Sequence, residues 1–83
     1  MGKHERTLAA IFAEPVQANI AWSDTESLLR NLGADITEGK GSRVRVALNG
    51  VRAVFHRPHP EKEANKPTIR SVRQFLAEAG VSP

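Results

Sequence analysis

The sequence contains no cysteine, so neither a disulfide framework nor a thiolate metal site is available, and a reducing compartment suits it. Aromatic residues are also scarce, with one Trp, three Phe and no Tyr. That scarcity argues against a platform for stacking single-stranded bases. Long hydrophobic runs are missing as well: Leu8 to Ala13 is stopped by Glu14 and Pro15, far short of a membrane span, and the N-terminus lacks the cleavage pattern of a signal peptide. The expected location is therefore the cytoplasm. There is no internal repeat or low-complexity segment, and 83 residues suit one small domain with a modest core.

What the chain does have is a segregated charge. Residues 1–38 carry three basic and six acidic side chains, net −3, whereas residues 39–73 carry nine basic against Glu61 and Glu63, net +7. Glu78 brings the total to +3. A local positive field of this kind suits phosphates or an acidic protein surface, although a basic surface can also serve solubility alone.

The clearest structural signal lies between Gly41 and Pro60. Arg43-Val44-Arg45-Val46-Ala47-Leu48 alternates polar and apolar residues, Asn49-Gly50 is a favoured two-residue turn, and Val51-Arg52-Ala53-Val54-Phe55-His56 runs back. This register sets Leu48 against Val51, Val46 against Ala53 and Val44 against Phe55 on an apolar inner face. The outer face then pairs Ala47 with Arg52, Arg45 with Val54, and Arg43 with His56, with paired Cβ atoms about 5 Å apart. A slip of one residue would bury the arginines.

Around the hairpin the pattern predicts a short packing helix over His4 to Glu14, with Leu8, Ile11 and Phe12 on one face and Pro15 closing it. Val16 to Trp22 reads as an irregular or extended connector, with Trp22 a core or lid residue. Ser23-Asp24-Thr25-Glu26 has the form of a capping box, Ser23 as N-cap, opening a helix with the stripe Leu28, Leu29 and Leu32 and a stop at Gly33. Ala34 to Glu38 is a first strand with Ile36 inward. Arg57 to Pro67 is a charged, proline-rich loop, and Thr68 to Ala79 is an amphipathic helix burying Ile69, Val72, Phe75, Leu76 and Ala79 before Gly80. The expected fold is thus α+β: a three-stranded antiparallel sheet with helices on one face, plus an extra N-terminal helix.

Three pieces in this order resemble the HicA toxin family of bacterial toxin–antitoxin systems: Leu28-Leu29 through Leu32-Gly33-Ala34, then Gly39-Lys40-Gly41-Ser42, then Pro58-His59-Pro60 with Thr68-Ile69-Arg70-Ser71-Val72. The likeness runs over residues 22–81, leaving residues 1–21 as an N-terminal extension of a single domain. It implies a fold similar to a double-stranded-RNA-binding domain and the activity of an mRNA interferase, an endoribonuclease that needs no known cofactor. It also implies a HicB-like antitoxin that masks the active surface. In the family pattern a catalytic histidine follows the Gly-Ser of the second strand. Here Arg43 stands at that position.

The departure matters because imidazole can take or give a proton near neutrality, whereas a guanidinium stays protonated and only donates or stabilises charge. The hairpin register, however, sets His56 directly across from Arg43. One reading is therefore an endoribonuclease with His56 as general acid or base and with Arg43 and Arg45 stabilising charge on the scissile phosphate, without a metal. Against it stands a bland reading of His56 as a polar strand residue.

Lys40, Ser42, Arg52, His59, Lys66, Arg70 and Arg73 are candidate RNA contacts, the last three in or near the N-terminal half of a helix whose positive end favours phosphate. Each also has a structural alternative: a loop tie for His59, a solvated face for the basic helix residues, a strand connection for Ser42 and its glycines. The spacing His56-x-x-His59 near Glu61 and Glu63 lacks a third well-spaced histidine or a cysteine, so no metal set is expected. A second reading keeps the surface without the chemistry, as an RNA- or antitoxin-binding module. A third is a basic sheet that docks an acidic protein.

Overall fold

The hairpin register follows directly from strand alternation and the demands of its turn. In a computed structural model that describes residues 2–59 and 61–83, the elements run α1 (Lys3–Ile11), β1 (Ile20–Ala21), α2 (Trp22–Asn31), β2 (Asp35–Glu38), β3 (Arg43–Leu48), β4 (Val51–His56), β5 (Glu63–Ala64) and α3 (Lys66–Glu78). Pro60, the last residue of the Pro-His-Pro segment, lies outside the described residues. Asn49 and Gly50 both take positive φ, 50° and 82°, as a two-residue turn matched to strand twist requires. All six cross-strand pairs fall in the expected register, including Arg43 opposite His56.

Strands β2, β3 and β4 form an antiparallel sheet in that order. Its inner face buries Val44, Val46, Leu48 and Phe55 against Leu28 and Leu29 of α2 and Ile69, Val72, Phe75 and Leu76 of α3, and Ile11 of α1 joins the same core. Phe55 is the hub of the aromatic packing. Its ring meets Trp22 at 6.0 Å and Phe75 at 5.8 Å between centroids, both edge-on. Trp22 is accordingly a core residue, 5 % exposed. The fold class, the three-stranded sheet and the additional N-terminal helix agree with expectation.

Three local expectations need correction. Helix α2 starts at Trp22, not after a Ser23 cap: Ala21 is the N-cap and Ser23 is exposed. The physical cause is that the Trp22 indole N–H donates to the Glu26 carboxylate one turn on, while the Trp22 backbone N–H donates to the Lys62 carbonyl at 2.9 Å. Glu26 is thereby drawn inward and is not available to close a capping box. The connector before α2 and the loop after β4 are also less irregular than expected, because Ile20–Ala21 pairs with Glu63–Ala64 as a two-stranded ribbon. Finally, α3 begins at Lys66, inside the segment read as loop, because the Asn65 side chain caps it by accepting from Thr68 N–H at 3.0 Å.

One side chain of α3 ties down the end of the first helix. Arg73 of α3 donates to the carbonyls of Ile11 and Ala13, at 3.0 and 2.6 Å, and pairs with the Glu14 carboxylate. These bonds satisfy backbone carbonyls at the end of α1 that have no partner within the helix.

Candidate nucleic-acid interface

The outer face of the sheet is built by strand parity. Arg43 and Arg45 from β3 and Arg52, Val54 and His56 from β4 all point away from the core and are exposed. Among the described residues none of the three arginines makes an ion pair. They form a positive surface whose guanidinium groups are not tied up in ion pairs, with Asp35 of β2 on the same parity. The entry to β3 fixes its first arginine: Gly39 N–H donates to the Arg43 carbonyl at 2.9 Å, and Arg43 N–H donates to the Lys40 carbonyl at 3.2 Å. A Cβ on Gly39 would lie 3.3 Å from that of Arg43, so glycine allows this close passage. Lys40 and Ser42 are exposed beside it.

At the far end of β4 the chain turns over a cleft of about 260 Å³ lined by His56, Arg57, Pro58, His59, Glu61, Glu63, Asn65 and Thr68. The structure thus brings His56 and His59 to one cleft, with Arg43 paired across the strand from His56. Lys66 and Arg70 are exposed on α3. Arg73 stands apart from this group, because its guanidinium is occupied by Ile11, Ala13 and Glu14. Among the described residues no cluster of three or more His, Asp or Glu side chains forms a metal-holding group, and no helix is long and apolar enough to cross a membrane.

Sequence reasoning missed the residue that braces this end of the sheet. Arg57 continues β4 with inward parity: its N–H donates to the Ser42 carbonyl at 2.8 Å, and its side chain turns under the sheet. There Nε and Nη2 donate to the two oxygens of Glu26 at 2.7 and 3.2 Å, and Nη1 donates to Glu38 at 3.0 Å. Burial pushes the Glu26 carboxyl up, but hydrogen bonds from Arg57 and Trp22, with the charges of Arg57 and Arg30, outweigh it and hold the group below its ordinary range. The hydrogen bonds Arg57 donates to Glu26 and Glu38 in turn raise its pKa. The available signal was parity: a charged residue on the inward phase of a strand demands a buried partner.

With this geometry in view, the family model for the HicA toxin of bacterial toxin–antitoxin matches residues 22–81. The chain belongs to the HicA toxin family. The match begins at the first residue of α2, so α1 and β1 lie outside it, and the Arg73 hydrogen bonds, the Lys3–Asp24 ion pair and the β1–β5 pairing join the two parts. Searches of curated proteins and of solved structures gave no match. Membership identifies the toxin of a toxin–antitoxin pair, and hence an antitoxin partner in general.

Proposed function

We propose that this HicA family toxin is an mRNA interferase, a cytoplasmic endoribonuclease held in check by a HicB-like antitoxin. The observation that carries the reading is the cross-strand pair of Arg43 and His56 on an exposed basic face. Cleavage by a neighbouring 2′-hydroxyl needs one group to move a proton and others to stabilise the phosphorane charge. His56 supplies the first function. Arg43 and Arg45 supply the second, since a guanidinium remains a donor throughout.

In this reading the attacking 2′-oxygen forms a bond to phosphorus as the 5′-oxygen leaves, giving a cyclic phosphate and a free 5′-hydroxyl. His56 or water takes the proton from the 2′-hydroxyl, and the leaving 5′-oxygen takes one from the protonated His56 or from water, so no net proton is gained or lost. Lys40, Ser42, Arg52, Lys66 and Arg70 hold flanking phosphates, and His59 lines the cleft where the strand leaves the sheet. Arg73 has no part in the interface, because it fastens α1.

A labelled mRNA incubated with purified protein, with and without chelator, tests this. His56→Ala is expected to lower the cleavage rate about 100-fold or more, with RNA affinity little changed and chelator without effect. Undiminished cleavage by that variant would overturn the assignment of His56. The second reading, an RNA- or antitoxin-binding module, draws on the arginine at position 43 where the family pattern has histidine. Salt-sensitive RNA binding with no cleavage by the unaltered protein is the result that favours it.

A further inference from the structure

A sheet of three strands leaves two edges, and here they differ. The β2 edge is four residues long and carries acids at both ends, Asp35 and Glu38, the latter held by Arg57. Short length and charge are the usual guards of an exposed edge. The β4 edge is six residues long, without proline or bulge, and exposes Val54 at 55 %, the one large hydrophobic residue so exposed among the described residues. It is longer than the β2 edge, and its middle outer position, Val54, carries no charge.

The ladder phase fixes which backbone groups the β4 edge offers. Arg57 N–H bonds the Ser42 carbonyl, so the Ser42/Arg57 pair is hydrogen-bonded and the alternation makes Arg43/His56, Arg45/Val54 and Ala47/Arg52 the non-bonded pairs. The N–H and C=O of Arg52, Val54 and His56 therefore point away from β3, toward open space. A groove runs beside them against α3, in two adjoining clefts of about 210 and 180 Å³ that share Val54, Phe55 and Ser71. Donors and acceptors alternating along a strand match another main chain, whereas a nucleic-acid backbone offers mostly acceptors.

We propose that the free edge of β4 is a strand-addition site, occupied by an extended acidic segment of the antitoxin. The proposal rests on membership of a toxin–antitoxin family and is independent of the nuclease chemistry. The added strand bonds the main chain of Arg52, Val54 and His56, sets its carboxylates on the outer face beside Arg52, with Arg45 and Arg43 one strand further in, and turns small apolar residues into the groove along α3. Charge selects this occupant over a second copy of the chain. A two-fold pairing centred on Val54 would set Arg52 against His56 of the other copy and bring two basic faces together.

The test uses the full chain, isotope-labelled, with a synthetic peptide of alternating glutamate and valine about seven residues long. On addition of this peptide, amide exchange at Arg52, Val54 and His56 is expected to slow at least tenfold, while Ile36 and Glu38 on the β2 edge stay unchanged. Val54→Pro removes one edge donor without removing a bond to β3, and is expected to weaken the peptide at least tenfold. Should that variant fold poorly, Val54→Asp retains the donor, opposes the acidic strand with like charge, and is expected to weaken binding similarly.

Absence of binding at about 1 mM peptide, binding without protection of these three amides, or equal binding of a lysine–valine peptide would each overturn the proposal. Protection of the same amides in the protein alone, growing with its concentration, would assign the edge to a second copy instead. RNA cleavage measured on the same samples reports separately on the nuclease reading.

Discussion

Arg43 and Arg57 flank the same hairpin and face opposite ways. Arg43, with Arg45 and Arg52, stands on the outer parity of the sheet without an ion-pair partner among the described residues, while Arg57 stands on the inner parity and holds Glu26 and Glu38. One residue type therefore performs two tasks, decided by strand phase. Outside, the guanidinium keeps its hydration and its charge available to a ligand. Inside, the desolvation cost must be offset by hydrogen bonds, and Glu26 supplies two of them. Substitution on the basic face is expected to leave the fold intact, whereas substitution in the clamp is expected to loosen it.

The sharpest way to break this contrast is at the shared carboxylate. Glu26→Ala leaves Arg57 with Glu38 alone and the Trp22 indole N–H without its acceptor, and is expected to cost about 3 kcal/mol in urea unfolding. The same pair predicts an acid limit. Because Glu26 is held below its ordinary value of 4.5, its contribution is fully present above that value and is lost as pH falls through the depressed folded value. Stability measured from pH 6 downward should therefore fall less steeply in Glu26→Gln than in the parent, and equal slopes would remove the clamp from the account.

Smaller effects test the hairpin that separates the two environments. Gly50→Ala forces a side chain into φ of 82° and is expected to cost about 1 kcal/mol, read from the same unfolding curves. Smallest is the stability change on the outer face. Arg45→Gln with Arg52→Gln should stay within about 0.5 kcal/mol of the parent, while the slope of log affinity for single-stranded RNA against log salt should fall by about 1.4.

The sequence made the outer face legible because alternation and an Asn-Gly turn specify register locally, and the register alone paired Arg43 with His56. The α3 stripe was legible for the same reason, since its apolar spacing is periodic. What escaped was long-range. Ser23 and Glu26 match a capping box, but no local pattern reveals that Glu26 is claimed by an arginine thirty-one residues later and by the indole beside it. The β1–β5 ribbon is two residues a side, too short for alternation to register. Arg73 shares a helix with candidate phosphate contacts, and only the packing of α1 shows that its donors are already in use.

The most direct test of the contrast is to measure RNA affinity and unfolding free energy together for Arg43→Gln and Arg57→Gln. Arg43→Gln is expected to weaken RNA binding and leave stability within about 0.5 kcal/mol, while Arg57→Gln is expected to lower stability by about 2 kcal/mol or more. Unchanged stability in Arg57→Gln, or RNA binding indifferent to Arg43, would contradict the contrast.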